Sequence, residues 1–368
     1  MPLAGCKYMT RILIAEFVLA NSEASRHAAR SMLSEAAAML TAIVTDIAAL
    51  PNIHVTVLLS STADASFAAS LTNTQVLRGE LHPDALPSIL HDESRQPPYD
   101  AVLLIAPECD GILVSLLKSI QEQPTMPIHS LNLPWRLAEL FADKRATDAW
   151  LRQHRIATIP TKTIDDTIAN MLQSPAASSE RQGDTNQLAV LKPRDGAGAG
   201  GVQVVSFDRQ AFPELPQQNS DDDRWVLQPF LPGVACSVGF IGGGQHRPAT
   251  NLPPALQNIV TNGGRLSYQG GQIPCQPDIV ARIQPIAEQL AAAFGPFDGY
   301  VGVDMLVDLS VPTDSEASVR VVEVNPRLCT SYVGYRMLTV DNLATWLLQQ
   351  NAGNEILWKP DIVHFSTR

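Results

Sequence analysis

Tyr300-Val301-Gly302-Val303-Asp304-Met305-Leu306-Val307 is followed, after a polar link, by Val319-Arg320-Val321-Val322-Glu323-Val324-Asn325-Pro326-Arg327. Both runs are dominated by β-branched and other apolar residues and read as strands. The link 309–318 is polar and contains Pro312, so the two strands form an antiparallel hairpin. If its turn is centred between Thr313 and Asp314, Asp304 lies directly opposite Glu323. Residues two apart on a strand share a face, so Glu323 and Asn325 point the same way. Two carboxylates and an amide oxygen then converge. Facing acids repel unless a cation lies between them. Hard oxygen ligands with open positions suit Mg²⁺ carried by a nucleotide. The competing reading makes both acids exposed polar residues of an alternating sheet; the flanking Val and Leu runs argue for burial instead.

Upstream lies Leu191-Lys192-Pro193-Arg194-Asp195-Gly196-Ala197-Gly198-Ala199-Gly200-Gly201-Val202. Gly196, Gly198 and Gly201 satisfy GxGxxG, but a dinucleotide site needs a helix next. Here Val202–Phe207 follows, which is strand-like, and no Gly-Lys-Ser/Thr makes it a Walker loop. A glycine hairpin between two strands suits a cover over phosphates. At Gly196, Gly198, Gly200 and Gly201 no Cβ keeps backbone N–H groups from the oxygens, and Lys192 leads into the same loop. On this segment alone, a surface hairpin without a function is an equal alternative. Next, Trp225-Val226-Leu227-Gln228-Pro229-Phe230-Leu231-Pro232-Gly233 is a strand running into a proline-bounded extended segment. The prolines donate no backbone bonds, which leaves the other groups of Gln228, Pro229, Phe230 and Leu231 to pair with a flat heterocycle edge, or simply to link two lobes.

The whole chain has 368 residues, 45% hydrophobic and 17% charged, which suits two or three lobes with real cores and excludes wholesale disorder. Thirty-seven acids against 26 Lys and Arg give a net charge of −11, a poor match to nucleic-acid backbones or anionic membranes. The five cysteines (Cys6, Cys109, Cys236, Cys275, Cys329) are scattered, with no CxxC pair, so neither a zinc cage nor a disulfide framework is expected and a cytoplasmic setting fits. The eight histidines are dispersed and show no Ser–His–Asp logic. No apolar run reaches the ~18 residues of a membrane span. Met1–Tyr8 lacks a signal-peptide core and reads as a loose extension, or Met9 is the start.

Residues 11–19, 54–59 and 99–106 read as strands, alternating with helices over 23–49 and 110–123; this predicts an open α/β layer spanning 1–130. A different texture follows. A charged amphipathic helix is expected over 135–154, a Ser/Ala/Gln/Gly-rich insert over 171–187, short strands from 188 to 228, a helix over 278–294 and a closing helix over Val340–Gln350. Boundaries at 131–232 and 233–368 divide this part into two lobes.

These pieces in this order, with Asp143-Lys144 upstream, resemble the ATP-grasp superfamily of carboxylate–amine ligases over about residues 130–340. The specific part is Asp304 with Glu323-Val324-Asn325-Pro326-Arg327. The resemblance implies an α/β fold (α+β in the clamp), with an open α/β N-terminal lobe followed by two β-rich lobes clamping ATP. Lys144 and Lys192 would contact phosphates, and the backbone of Gln228–Leu231 the adenine edge. Asp304, Glu323 and Asn325 would hold Mg²⁺, or Mn²⁺ in its place. The superfamily's usual acidic ribose contact after the hinge has no counterpart in Gly233-Val234-Ala235-Cys236-Ser237.

Ile12–Phe17, Ser267–Pro274 and Asn325–Gly334 are further similar to the tyramine–L-glutamate ligases, a group serving furan-cofactor (methanofuran-type) biosynthesis. Val18-Leu19-Ala20-Asn21-Ser22 departs from the glycines usual there. This implies ATP-dependent amide formation through an acyl phosphate, with an amino acid and an amine as small-molecule partners. No nucleic-acid or membrane partner is expected, and an oligomer is compatible. Arg327 is expected to grip the substrate carboxylate or acyl phosphate through its planar fork, a surface ion pair being the alternative. Arg265, Tyr268, Gly270 and Gly271 would shape the acceptor pocket, or the glycines merely mark a turn. Thr330, Ser331 and Tyr332 would bind a polar substrate or cap the next segment. A small-molecule kinase and an ATP-binding scaffold without turnover are the other classes open to this sequence.

Overall fold

The computed structural model describes residues 9–91, 98–123, 128–166, 187–196, 201–207, 224–262, 265–351 and 353–366. The insert expected over 171–187 lies outside these except for Gln187.

The first lobe is built on a parallel sheet of β1 (Thr10–Glu16), β2 (Ile53–Leu59), β3 (Thr74–Arg78), β4 (Ala101–Ile105) and β5 (His129–Ser130), in the order β3-β2-β1-β4-β5. β1 and β4 are buried along nearly their whole length because both faces of a parallel sheet are covered. β1 stops at Glu16, three residues short of the expected end. The Glu16 carboxylate accepts from the Leu19 N–H and caps a helical turn, Phe17–Ala20. The expected helix over 23–49 is two helices, Ser22–His27 and Arg30–Ala48, broken where Ala28 and Ala29 are extended. β3 was not anticipated; its half-buried, mixed pattern carries little periodic signal.

The remaining strands are β6 (Lys162–Thr163), β7 (Gln187–Pro193), β8 (Gln203–Phe207), β9 (Trp225–Pro229), β10 (Val234–Ile241), β11 (Thr250–Asn251), β12 (Ala255–Asn262), β13 (Arg265–Ile273), β14 (Tyr300–Val307), β15 (Val319–Asn325) and β16 (Val363–Phe365). They form one antiparallel path, β15-β14-β10-β12-β13-β8-β7-β9-β6, with β11 beside β10 and β16 beside β13. β8 meets β13 at a single pair, Gln203 with Arg265, so β6–β9 hang from the rest by a narrow seam. The outer edge of β15 is covered: Val321 donates to the Ala157 carbonyl at 2.9 Å and accepts from the Ile159 N–H at 3.1 Å.

Two expected helices need correction. The segment 135–154 is two helices, Trp135–Ala142 and Lys144–Gln153, because Asp143 turns extended and caps the second through Arg145 and Ala146 N–H. The closing helix expected over Val340–Gln350 is helical only at Ala344–Leu347, a longer helix Ser331–Leu338 precedes it, and the last described element is the strand β16.

One hydrophobic cluster joins Ile12, Ile14, Ile43 and Ile47 of the first lobe to Tyr300, Tyr332, Tyr335 and Trp346 near the other end of the chain. Helix Arg30–Ala48, which is long and apolar enough by composition to cross a bilayer, packs in this core through Leu40, Ile43 and Ile47. The smallest of the four clusters, Ile164, Ala189, Leu191 and Leu227, lies under β6–β9.

Candidate active site

β14 alternates strictly. Val301, Val303, Met305 and Val307 enter the core, while Gly302, Asp304 and Leu306 line a cleft. Strict alternation on β15 would place Glu323 on the same face as the buried Val319 and Val321. A β-bulge prevents this. Asp304 pairs with Glu323, as the hairpin reading required, but the next pair is Met305 with Val321, so Val322 is an extra residue. The bulge reverses the phase: Val319, Val321 and Val324 stay in the core, and Glu323 and Asn325 turn to the cleft.

Around this pair the charges are arranged by β15 itself and three other elements. Gln257 on β12 donates to one Asp304 oxygen at 2.7 Å, and Asn325 donates to the other at 3.1 Å. Lys144 and Lys192 approach the same oxygen of Glu323 at 3.7 and 3.9 Å, with both lysines buried. Burial, and then repulsion from Glu323, push the Asp304 carboxyl up to about 7. Burial would raise Glu323 as well, but Lys144 and Lys192 outweigh it and hold the group below its ordinary range. Lys192 is pushed down to about 8 by burial, against the pull of Glu323. Burial first, and the facing Glu323 second, oppose the charged form of Asp304, and a divalent cation beside it would offset both. Among the described residues no group of three His, Cys, Asp or Glu comes together to hold a metal. Two carboxylates and an amide oxygen form an open donor set that leaves positions for water and phosphate oxygens, which suits Mg²⁺.

Lys144 begins its helix beside the glycine hairpin. Its N–H donates to the Arg194 carbonyl at 3.1 Å and its ammonium to the Gly196 carbonyl at 2.6 Å. Arg194 in turn grips Asp143 through Nε at 2.9 Å and Nη2 at 2.5 Å. β7 and β8 pair antiparallel, so the glycines do join two strands. Gly201 has φ +76°, and a Cβ on Gly196 would lie 2.9 Å from the Pro193 Cβ. Gly198 and Gly200 lie outside the described residues.

The backbone of 228–231 is less open than expected. Gln228 lies in the β7–β9 ladder with a buried side chain that donates to the Thr161 hydroxyl at 2.8 Å. The Phe230 N–H is engaged by the Leu188 carbonyl at 3.1 Å. The Leu231 N–H makes no backbone hydrogen bond among the described residues, and Gln228, Pro229, Phe230 and Leu231 all line the cleft.

Arg327 lines the cleft but its fork is partly occupied. Its Nε lies 2.9 Å from the buried Glu108 carboxylate without hydrogen-bond alignment, so charge holds the pair; its Nη1 donates to the Leu328 carbonyl at 3.2 Å. The ion pair set against the substrate role is present, but mostly buried rather than at the surface: the Arg327 side chain is 14% and the Glu108 side chain 4% exposed. Tyr268, Thr330 and Ser331 line the cleft. Burial pushes the Tyr268 hydroxyl well up. Ser331 lies 3.3 Å from the Tyr300 hydroxyl, and Tyr332 turns away to donate to Asp46. Gly270 and Gly271 do not line the cleft. A Cβ on Gly270 would lie 2.1 Å from the Phe365 carbonyl oxygen, and one on Gly271 2.4 Å from that of Leu256, so both serve close strand packing. Arg265 contributes backbone to β13 at the seam with β8; nothing more is described for it.

Glu16, Glu35, Glu108 and Gln257 were missed. Glu16 and Glu35 line the cleft from the first lobe, and burial pushes Glu16 up to about 7. Glu16 stood inside the quoted Ile12–Phe17 run, and Pro107-Glu108 closed a recognised strand. A buried acid at a strand's carboxyl end was the available signal. Nothing local marked Gln257.

The cleft has a volume of about 560 Å³. The family described as ATP-grasp domain matches residues 141–331. A tyramine–L-glutamate ligase from Methanocaldococcus fervens is 25% identical over 268 residues, covering 73% of this chain and 71% of the relative. One from Methanocaldococcus jannaschii is 30% identical over 139 residues, covering 38% and 40%. Among solved structures, an ATP-grasp superfamily protein from Archaeoglobus fulgidus matches with a TM-score of 0.63 at 19% identity, over 94% of this chain and 89% of the other. An L-amino acid ligase from Bacillus licheniformis matches at 0.59 and 16% identity, over 94% and 75%. At such identities the structural matches speak to fold alone.

Proposed function

The chain belongs to the ATP-grasp family, and on that premise we propose that it is an ATP- and Mg²⁺-dependent ligase joining L-glutamate to a tyramine-like amine. The observation that carries this reading is the half-buried, face-to-face Asp304–Glu323 pair with the buried Lys144 and Lys192 beside it. The names of the two curated relatives support the choice of carboxylate and amine. A place in furan-cofactor biosynthesis rests on the same resemblance.

The reaction needs positioning and charge neutralisation more than covalent catalysis. A substrate carboxylate oxygen attacks the γ-phosphorus, the bond to the bridging oxygen breaks, and ADP leaves. The amine lone pair then attacks the acyl carbon, phosphate departs, and the nitrogen loses its extra proton. Lys144 and Lys192 are suited to the phosphates, and the Leu231 N–H to the adenine edge. When bound, Mg²⁺ would be held by Asp304, Glu323 and Asn325 and would neutralise charge on the triphosphate. Arg327, anchored by Glu108, would orient the donor carboxylate with the donors that remain free.

The test is ADP and phosphate release with purified protein, ATP, Mg²⁺, L-glutamate and a panel of amines. Turnover should require both glutamate and an amine, and ADP formation that ignores the amine would sink the ligase reading. Glu323→Gln should lower turnover at least ~10³-fold while the protein still folds. Retained activity would remove the metal assignment.

A further inference from the structure

Helix Arg30–Ala48 does more than pack against the sheet. Met32, Glu35, Ala36 and Met39, at i, i+3, i+4 and i+7, form one face of it and line the cleft. Glu35 is the single charged group on that face. Its carboxylate makes no hydrogen bond or ion pair among the described residues. The cations nearby are already matched: Arg327 with Glu108, and Lys192 with Glu323. Val18 and Ile105 add apolar wall, and Tyr268 lines the same cleft. This end of the cleft thus combines an apolar surface with one uncompensated negative charge.

We propose that Glu35 is the ammonium-binding residue of the acceptor subsite, which takes a primary amine on an apolar body. This inference rests on the ligase reading above and deepens it. The amine head would donate to Glu35 and the body would lie on Met32 and Met39. Burial pushes the Glu35 carboxyl above its ordinary range, with Arg327 working against the rise. A bound ammonium would relieve that penalty, which an uncharged acceptor of the same shape would not.

The experiment separates the two halves of the reaction in the wild type and in Glu35→Gln. Hydroxylamine, small and largely uncharged near neutral pH, traps the acyl phosphate formed from ATP and L-glutamate without needing an ammonium site. Tyramine reports the full reaction. Glu35→Gln should form hydroxamate within about 2-fold of the wild type, while kcat/KM for tyramine falls about 10- to 100-fold, the worth of a charge-assisted hydrogen bond. An unchanged kcat/KM for tyramine overturns the subsite and leaves the ligase reading standing. So does an equal loss in both assays, which would make Glu35 a structural residue. A wild type that forms no hydroxamate overturns the ligase reading, and the subsite with it. Glu35→Asp, which keeps the charge on a shorter arm, should recover part of the tyramine kcat/KM; no recovery counts against the charge as the recognised feature.

Discussion

Replacing Asp46 with alanine removes the polar joint between the two ends of the chain. Asp46 lies near the end of helix Arg30–Ala48 and meets helix Ser331–Leu338. One of its carboxylate oxygens accepts from Arg336 Nε at 3.0 Å and Nη2 at 2.7 Å, and the other from the Tyr332 hydroxyl at 2.9 Å. Tyr332 is 0% exposed, so its hydroxyl would be left buried without an acceptor, at ~1–3 kcal/mol. The Arg336 side chain is 29% exposed and can recover water, which limits its loss to ~1–2 kcal/mol. Together these predict a destabilisation of ~2–5 kcal/mol. An unfolding entropy of ~2.1 cal/mol/K per residue over 368 residues converts this to a melting-temperature drop of ~3–6 °C. Thermal and urea denaturation measure it. A Tyr332→Phe, Asp46→Ala cycle isolates the hydroxyl pair, with an expected coupling of ~1–2 kcal/mol. In the Asp46→Ala background Tyr332→Phe should be neutral or stabilising, because it removes the orphaned hydroxyl. A melting temperature within about 1 °C of the wild type, or a coupling near zero, would refute the claim that this contact docks the cleft-lining helix.

Two further outcomes are expected. Glu16, whose carboxyl is pushed from 4.5 to about 7 by burial, is more easily protonated folded than unfolded. It favours the fold at low pH, and that contribution is lost as pH rises from about 4.5 through about 7. Glu16→Gln escapes the loss, so its stability relative to the wild type should improve by up to ~3 kcal/mol between pH ~4.5 and pH ~8; urea midpoints at the two ends that shift in parallel would contradict this. Gly270→Ala places a Cβ against the Phe365 carbonyl at φ +110° and should destabilise by ~3 kcal/mol through loss of β16, with KM values changed less than ~2-fold. A selective rise in the amine KM would instead return Gly270 to the acceptor pocket.

The pairing of Asp304 with Glu323 was legible because a short polar link and two apolar runs leave an antiparallel hairpin few registers. The glycine hairpin was legible for a similar reason: a strand, not a helix, follows Gly201. Helix breaks were less so. Asp143 interrupts 135–154 without disturbing its apolar spacing, since a capping carboxylate replaces the missing backbone bonds. The strands β12 and β13 hide among half-buried and exposed positions whose pattern depends on which face a neighbour covers.

What the sequence by itself determined is therefore what neighbours along the chain determine: strand and helix periods, the hairpin register, the glycine turn, and the acids that meet across it. What only the tertiary structure decided is how the site is completed. The bulge at Val322 turns Glu323 into the cleft rather than the core. Gln257 clamps Asp304, Glu108 holds Arg327, Gly270 and Gly271 lie in close strand packing, and Glu35 has no partner among the described residues. These depend on elements far apart in the chain, as with Asp46 and Arg336, 290 residues apart. Local periodicity says which face of an element is apolar, but packing decides which other element meets that face, and so which charges are buried and which remain unmatched.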